Sequence, residues 1–465
     1  MCAEDLGLIM SVYNLQSYIE KTKISRDWYE RACRVFPGGV SHNIRFFEPY
    51  PFFVERATGK NLYDVDGNTY TDYWMGHWAL ILGHSPRYNE TPLIQQIREG
   101  TLFGTTNTVS VLLAEQIQKV VSPADLMRFC STGSEATMYA TRLARAYSRK
   151  RIIAKSVGGW HGFNTDLMHS VNYPFETPEG LGLDDIQGEY LKSIPFNDLN
   201  GSIKILESIK DDLACIIIEP VLGAGGAIPG EKDFLLGLQE YAKRNNILWI
   251  VDEIVTGFRL HYGTFSALNN LQPDLMTLGK IVGGGFPIGV VSGLKEIMSL
   301  ADPVLKKGKG ERCYIGGGTF SSNPVSMKAG LSTMEFLKKN KENVYGSINS
   351  LGNEYRQKLQ RIFFDSGIRV DVTGIGSLFQ VHFLNDSVNQ IRNVADASSA
   401  DQERLLNYHC TLISDYGIFN LPRKMAAVSY AHNKSDLEAL LSATEDMINR
   451  GIFGINPTDP AKFVT

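Results

Sequence analysis

The apolar positions of this chain change period along its length, and each change predicts a different kind of element. Residues 12–36, as in QSYIEKTKISRDWYERACRVF, carry spaced apolar side chains among mixed charges, which predicts an amphipathic helix ending at Pro37-Gly38-Gly39. In FFVERATGKNLYDVDGNTYTDY the pattern alternates around Thr58-Gly59 and Asp66-Gly67, predicting small antiparallel strands joined by tight turns. From about residue 89 helix and strand alternate. Apolar, β-rich runs at 151–154, 214–218, 247–251 and 275–278 are separated by helical segments, the signature of a parallel sheet covered on both faces. Beyond about Pro324 the chain reads as helix in SMKAGLSTMEFLKKN and NSLGNEYRQKLQRIFFDSG, as strand at 369–372 and 378–383, and as helix again at 435–449. The expected organisation is an N-terminal α+β segment over 1–88, a large α/β domain over 89–330 and a small C-terminal α+β domain over 331–465.

Composition narrows the function classes without choosing one. At 465 residues, with 43% hydrophobic and 21% charged positions, the chain has the make-up of a soluble globular protein with a large core. A formal net charge of -4 gives no support for a nucleic-acid partner, which needs clustered positive charge. The six cysteines contain no CxxC pair, which argues against a zinc site or a disulfide scaffold and suits a reducing cytoplasm. The start, MCAEDLGLIM, is acidic where a signal peptide is basic, and no apolar stretch reaches membrane-spanning length. A cytoplasmic protein with no membrane partner is expected.

In a parallel α/β sheet, ligands sit at the carboxyl ends of the strands. There PDLMTLGKIVGGGFPIG ends an apolar run at Lys280 and continues into Gly283, Gly284 and Gly285. This is either a reactive amine at a sheet edge or an ordinary glycine turn with a solvated lysine. In STGSEATMYA, Thr132, Gly133 and Ser134 open a helix, where free backbone N–H groups and hydroxyls bind phosphate or merely cap the helix. In GGWHGFNTD, Trp160 and His161 lie in a glycine-flanked loop, so the indole either covers a planar ring or packs on the surface. Glu219 ends ACIIIEP and Asp252 ends ILWIVD; buried carboxylates are costly unless paired, which makes Asp252 a candidate to hold a cationic ring. A phosphate cradle, an aromatic platform, a buried carboxylate and a lysine form the set required by pyridoxal 5'-phosphate.

The ordered motifs IIEPVLGAGG, ILWIVDEIVTGFR, DLMTLGKIVGGGFPIG and GGGTFSSNP, with PGGVSHNIR, ILGHSP and STGSEA upstream and VSYAHNKSDLEAL downstream, resemble those of class III aminotransferases. These are fold type I pyridoxal-phosphate transferases, and the resemblance covers nearly the whole chain. Within the class it is most similar to the glutamate-1-semialdehyde 2,1-aminomutase branch. The resemblance implies that Lys280 forms the Schiff base, that Asp252 pairs with the pyridinium nitrogen, that Gly133 and Ser134 with Thr132 bind phosphate, and that Trp160 stacks on the ring. His161, Glu219 and Val255 are the other expected cofactor contacts. It also implies a homodimer in which Thr319 reaches the neighbouring subunit's cofactor, and a substrate carboxylate on Arg45 with His77 and Trp78 nearby.

Departures from the branch fall at Met75-Gly76-His77-Trp78, at Ala224-Gly225, and within Arg423-Lys424-Met425, where an acidic residue is replaced. The expected activity is amino-group transfer between small carboxylate-bearing amino and oxo substrates. A true aminomutase is the alternative, and an amino-acid racemase a further one. A non-catalytic nucleotide-binding protein requires a glycine fingerprint or a Walker lysine, and neither is present.

Overall fold

The computed structural model describes residues 15–186, 189–305 and 308–453. The acidic N-terminal segment, with Cys2 and the start of the expected first helix, lies outside them. The centre is a seven-stranded sheet of β1 (Leu126–Cys130), β2 (Ile152–Ser156), β3 (Leu191–Ile194), β4 (Leu213–Ile218), β5 (Leu248–Asp252), β6 (Leu275–Gly279) and β7 (Gly289–Gly293). Its spatial order is β1-β7-β6-β5-β4-β2-β3. The four runs read from the sequence are β2, β4, β5 and β6, and all pairings among them and with β3 are parallel.

Every residue of β4, β5 and β6 is buried, because helices cover both faces. Strand period divides their side chains between two cores. Cys215 and Ile217 of β4 join Ala136, Ala140 and Leu143 of helix α1 (Gly133–Ser148), whereas Ile216 and Ile218 join Phe234, Leu235 and Leu238 on the opposite face.

One strand departs from the parallel expectation. β7 runs antiparallel to both β6 and β1. The link from β6 to β7 spans only residues 280–288, shorter than the dozen or more residues of a crossover, so the chain returns beside β6 in the opposite sense. Lys280 is the first residue of that link.

The helix expected over 12–36 is also corrected: it breaks at Thr22 into Gln16–Lys21 and Lys23–Ala32. The cause lies elsewhere in the chain. Asp66 accepts from Ile24 N at 2.6 Å and Ser25 N at 2.9 Å, capping a second helix start, while Thr22 Oγ1 turns back onto Tyr18 O at 2.6 Å.

The remaining sheets bring distant segments to the site. Val54–Thr58, Asn61–Asp64 and Thr69–Asp72 form the expected antiparallel strands, and Ile418–Phe419 adds to them parallel to Thr69–Asp72. Val370–Thr373, Leu378–Phe383 and Ala426–Ala427 make a second small sheet. Residues 418–427 are thereby fixed beside residues 72–78. Two long helices, α2 (Pro324–Lys339) and α3 (Lys341–Asp365), lead into this part. None of the described helices is long and apolar enough to cross a membrane.

Burial holds histidines of this part below the usual range, among them His382 at about 4 and His409 at about 3. A histidine whose folded pKa is depressed binds fewer protons folded than unfolded, so its stability contribution is intact above about 6.5 and is lost as pH falls through the window below it. The melting temperature should fall by roughly 5 °C from pH 7 to pH 5, measured by differential scanning calorimetry. The double variant His382→Gln, His409→Gln should flatten that slope; an unchanged slope would assign the acid sensitivity to other groups.

Candidate active site

The carboxyl ends of β4, β5 and β6 surround a cavity of about 190 Å³ bounded by Ser134, Trp160, Glu219, Ala224, Asp252 and Lys280, with Trp78, Gly133, Gly162, Ile254, Val255 and Ile288 completing the wall. Asp252 is the most tightly held of these groups. Its Oδ1 accepts from Thr277 Oγ1 at 2.9 Å and Ile254 N at 3.1 Å, and its Oδ2 faces His161 Nδ1 at 2.8 Å. Burial lowers the pKa of His161, so the imidazole is neutral at neutral pH and donates through Nδ1–H. Its Nε2 is buried without a partner among the described residues. Thr277 was missed from the sequence, although a polar residue within the apolar run LMTLG was the available signal.

Lys280 has φ +48°, in the left-handed region that costs an L-residue about 1 kcal/mol or more. Its Nζ makes no hydrogen bond or ion pair among the described residues and lies 5.7 Å from the Trp78 ring centroid. Burial pushes its ammonium below the usual lysine range, against the pull of Asp252 and Glu219. Glu219 accepts from Trp160 N at 2.7 Å and Gly223 N at 3.2 Å, and burial, with Asp252 next in weight, raises its carboxyl to about 8. Its charged form is therefore poorly tolerated in the cavity.

At the start of α1 the N–H groups of Gly133 and Ser134 have no acceptor among the described residues and open on the cavity. Thr132 is otherwise engaged: it caps the helix through Glu135 N at 3.2 Å in a capping box and lies outside the cavity wall. Trp160 presents a partly exposed indole, and Val255 an aliphatic wall. Gly162 has φ +84°, and a Cβ there would sit 2.1 Å from Ser134 Oγ. The triple glycine does not line the cavity; at Gly284 (φ +58°) a Cβ would meet Thr333 Oγ1 at 2.3 Å and Ala329 O at 2.6 Å, so its role is close packing on α2.

Met75, Gly76, His77 and Trp78 have φ of 46°, 58°, 59° and 65°, one turn of left-handed helix. Asp72 Oδ1 accepts from Trp74 N at 2.8 Å and Met75 N at 3.0 Å to start it, and Arg259 Nη2 donates to Trp78 O to end it. Arg259, inside the TGFR motif but given no role from the sequence, is fully buried with no carboxylate partner among the described residues. His77 stacks edge-on to His42, 5.7 Å between centroids, and burial together with Lys280 lowers it to about 4. Arg45 lies on the exposed turn Asn43–Arg45 beside His42, its Nη1 on Ser41 Oγ at 2.8 Å, outside the cavity wall. Thr319 lines a separate open cleft with Phe103, Asn107 and Ser322, so within one chain it does not meet Lys280.

A family model described as aminotransferase class-III matches residues 45–410. The chain belongs to the class III aminotransferases. Glutamate-1-semialdehyde 2,1-aminomutase of Methanosarcina acetivorans is 36% identical to it over 424 residues, 90% of this chain and 97% of that protein. An omega-transaminase from Sphaerobacter thermophilus superposes with a TM-score of 0.83 at 31% identity, covering 91% of this chain and 97% of its own. A transaminase with PLP bound superposes at 0.83 and 27% identity, with 93% and 99% covered. This class III aminotransferase is thus a fold type I, pyridoxal-phosphate-dependent enzyme acting on small amino and oxo substrates. The cavity fits that cofactor: an amine and two backbone N–H groups lack partners among the described residues, and an indole and a carboxylate held by neutral donors line the same wall.

Gly162→Ala should displace Ser134 from the cavity. Retention of pyridoxal 5'-phosphate, followed by absorbance titration, should weaken at least about tenfold while the apoprotein stays folded. Unchanged retention would remove Ser134 from the cofactor contacts.

Proposed function

We propose that this enzyme transfers amino groups between separate small carboxylate-bearing amino and oxo substrates, in cytoplasmic homodimers. The observation that carries the reading is the partnerless Lys280 Nζ in one cavity with the donor-held Asp252 carboxylate. Bound pyridoxal 5'-phosphate supplies an electron sink for the carbon beside the substrate nitrogen. Lys280 would hold the cofactor at its carbonyl carbon, and its amine would take and return the proton at that substrate carbon. Its lowered ammonium pKa makes the neutral amine available for both tasks. Asp252 would hold the proton on the ring nitrogen, the Gly133 and Ser134 N–H groups would hold the phosphate, and Trp160 would lie against the ring. Arg45, close to His77, would take a substrate carboxylate. Thr319, which lines a separate cleft of its own chain, would act across the homodimer.

The relative from Methanosarcina acetivorans, at 36% identity, supports a second reading, an aminomutase that moves the amino group within one molecule. The two are separated by half-reactions of the purified holoenzyme. Glutamate or alanine alone should discharge the visible absorbance of the lysine-bound cofactor and release one equivalent of oxo acid. Isomerisation of glutamate-1-semialdehyde without a second substrate, and no oxo acid from any donor, would favour the aminomutase. Lys280→Ala should lose the visible absorbance and about 10³-fold or more of the rate; a variant retaining both would overturn the role given to Lys280.

A further inference from the structure

Ser156, the last residue of β2, is fully buried, and its Oγ has no hydrogen-bond partner among the described residues. His161 Nε2, on the loop that follows, is buried without one as well. Both atoms face the same space beside Gly159. A Cβ on that glycine would lie 3.0 Å from Ser156 Oγ, 3.0 Å from His161 Nε2 and 3.1 Å from Ser156 O, so the two unpartnered atoms are no more than about 6 Å apart. We propose that Ser156 is a positioning residue for the cofactor site: its hydroxyl donates to His161 Nε2 through one bound water beside Gly159, and this holds the imidazole in the tautomer that serves Asp252.

The two atoms are chemically complementary. His161 Nδ1 lies 2.8 Å from Asp252 Oδ2, and an ionised carboxylate only accepts, so the proton of the neutral ring sits on Nδ1 and Nε2 is an acceptor. Burial disfavours the imidazolium, and the neighbouring Lys155 disfavours it further. Nε2 therefore needs a donor. The Lys155 ammonium donates elsewhere, to His169 O at 2.5 Å, whereas the Ser156 hydroxyl is a donor with no acceptor. A water between them accepts from Ser156 Oγ, donates one proton to His161 Nε2 and directs the other toward Ser156 O. Three polar partners are what a buried water ordinarily finds.

The loop between the two residues is fixed along its length. Val157 N donates to Ile194 O at 2.9 Å, Gly158 N to Ser170 O at 2.7 Å, Gly159 N to Ser156 O at 3.1 Å and Trp160 N to Glu219 Oε1 at 2.7 Å. Thr137 Oγ1 holds His161 O at 2.6 Å. The end of β2 and the imidazole are thus kept at a set separation. The Gly159 backbone lies outside the left-handed region, so its conformation does not require glycine. What glycine supplies there is space, since any side chain would enter the gap between Ser156 Oγ and His161 Nε2.

Donation to Nε2 polarises the imidazole and strengthens the bond that Nδ1–H makes to Asp252. Without it the ring keeps a buried acceptor unsatisfied, which favours the other tautomer, and in that tautomer the Nδ1 lone pair opposes Asp252 Oδ2. Ser156 therefore acts on the cofactor through His161 and Asp252 and touches neither substrate nor cofactor. That consequence rests on the role proposed for Asp252 at the ring nitrogen, whereas the hydrogen bond to His161 is independent of it.

The test is solid-state nitrogen-15 NMR of the apoprotein labelled at histidine, with His161 assigned by the signals lost in His161→Gln. In the wild type Nδ1 should be protonated and Nε2 should carry the shift of an unprotonated, hydrogen-bonded nitrogen. Ser156→Ala, and Gly159→Ala with its methyl in the gap, should both move Nε2 to the shift of an unbonded acceptor or divide the ring between tautomers. Ser156→Thr, which keeps the hydroxyl, should restore the wild-type signal. Pyridoxal 5'-phosphate retention, followed by absorbance titration, should weaken about threefold to tenfold in Ser156→Ala and recover in Ser156→Thr. Melting temperature reports folding; should Ser156→Ala not fold, Gly159→Ala decides. An imidazolium in the wild type at neutral pH, or a His161 signal unchanged in the alanine variants, would overturn the hydrogen bond whatever the melting temperature does. A signal that moves while retention stays constant would overturn the positioning role. A wild type that fails to retain the cofactor would instead overturn the role of Asp252, and the NMR comparison would still decide the hydrogen bond.

Discussion

The site depends on keeping the Asp252 carboxylate inside an apolar sheet. At 3% exposure it has lost its water, and such a group persists only where donors converge on it. The donors come from separate elements: Ile254 N from the chain beyond β5, Thr277 Oγ1 from β6 and His161 Nδ1 from the loop after β2. Satisfying one carboxylate therefore fixes the end of β6, which carries Lys280, against the loop that carries Trp160. Because burial keeps His161 neutral, the imidazole donates a hydrogen bond without adding positive charge. Asp252 remains available to a cation from the cavity.

Strain concentrates around the same point. Lys280 and the turn from Met75 to Trp78 both occupy left-handed backbone, where L-residues cost about 1–2 kcal/mol each. The turn is held at one end by Asp72 and at the other by Arg259. What it gains is direction: it places the Trp78 ring beside Lys280 Nζ and the Trp78 indole N–H on Met425 O. An extended segment of the same length would carry Trp78 past the cavity. The strain is offset by the cores on either side, where Trp74 and Trp78 pack with Phe47, Tyr70 and Phe419.

What was legible in the sequence follows from how locally each feature is encoded. β2, β4, β5 and β6 were readable because apolar runs buried on both faces leave little ambiguity, and the polar groups gathered at their ends because Asp252, Glu219 and Lys280 stand out against such runs. The break at Thr22 was not readable, since the cap that causes it, Asp66, lies far along the chain. The sense of β7 was legible in principle from the short 280–288 link, a length argument rather than a pattern. The glycines after Lys280 admitted two readings, and the contact of Gly284 with α2 decides for packing. Thr132 shows the same limit: a hydroxyl at a helix start suits a phosphate or a cap equally well, and only the position of Glu135 selects the cap. Arg259 was invisible as a functional residue because its partner is a backbone carbonyl, which no sequence motif records.

The charges around the cavity, taken together, say what kind of molecule completes it. Burial destabilises the charged forms of Lys280 and Glu219 alike, and Arg259, buried with no carboxylate partner among the described residues, adds a cation behind the turn that carries Trp78. Two unused N–H groups at the start of α1 add the positive end of a helix dipole. An excess of positive character in a confined cavity is destabilising when the cavity is empty and favourable once an anion enters. A cofactor bearing a phosphate and a protonated ring would suit both parts of that arrangement. Binding of pyridoxal 5'-phosphate is therefore expected to stabilise the fold as well as supply the chemistry, because the charges at the cavity are poorly compensated without it.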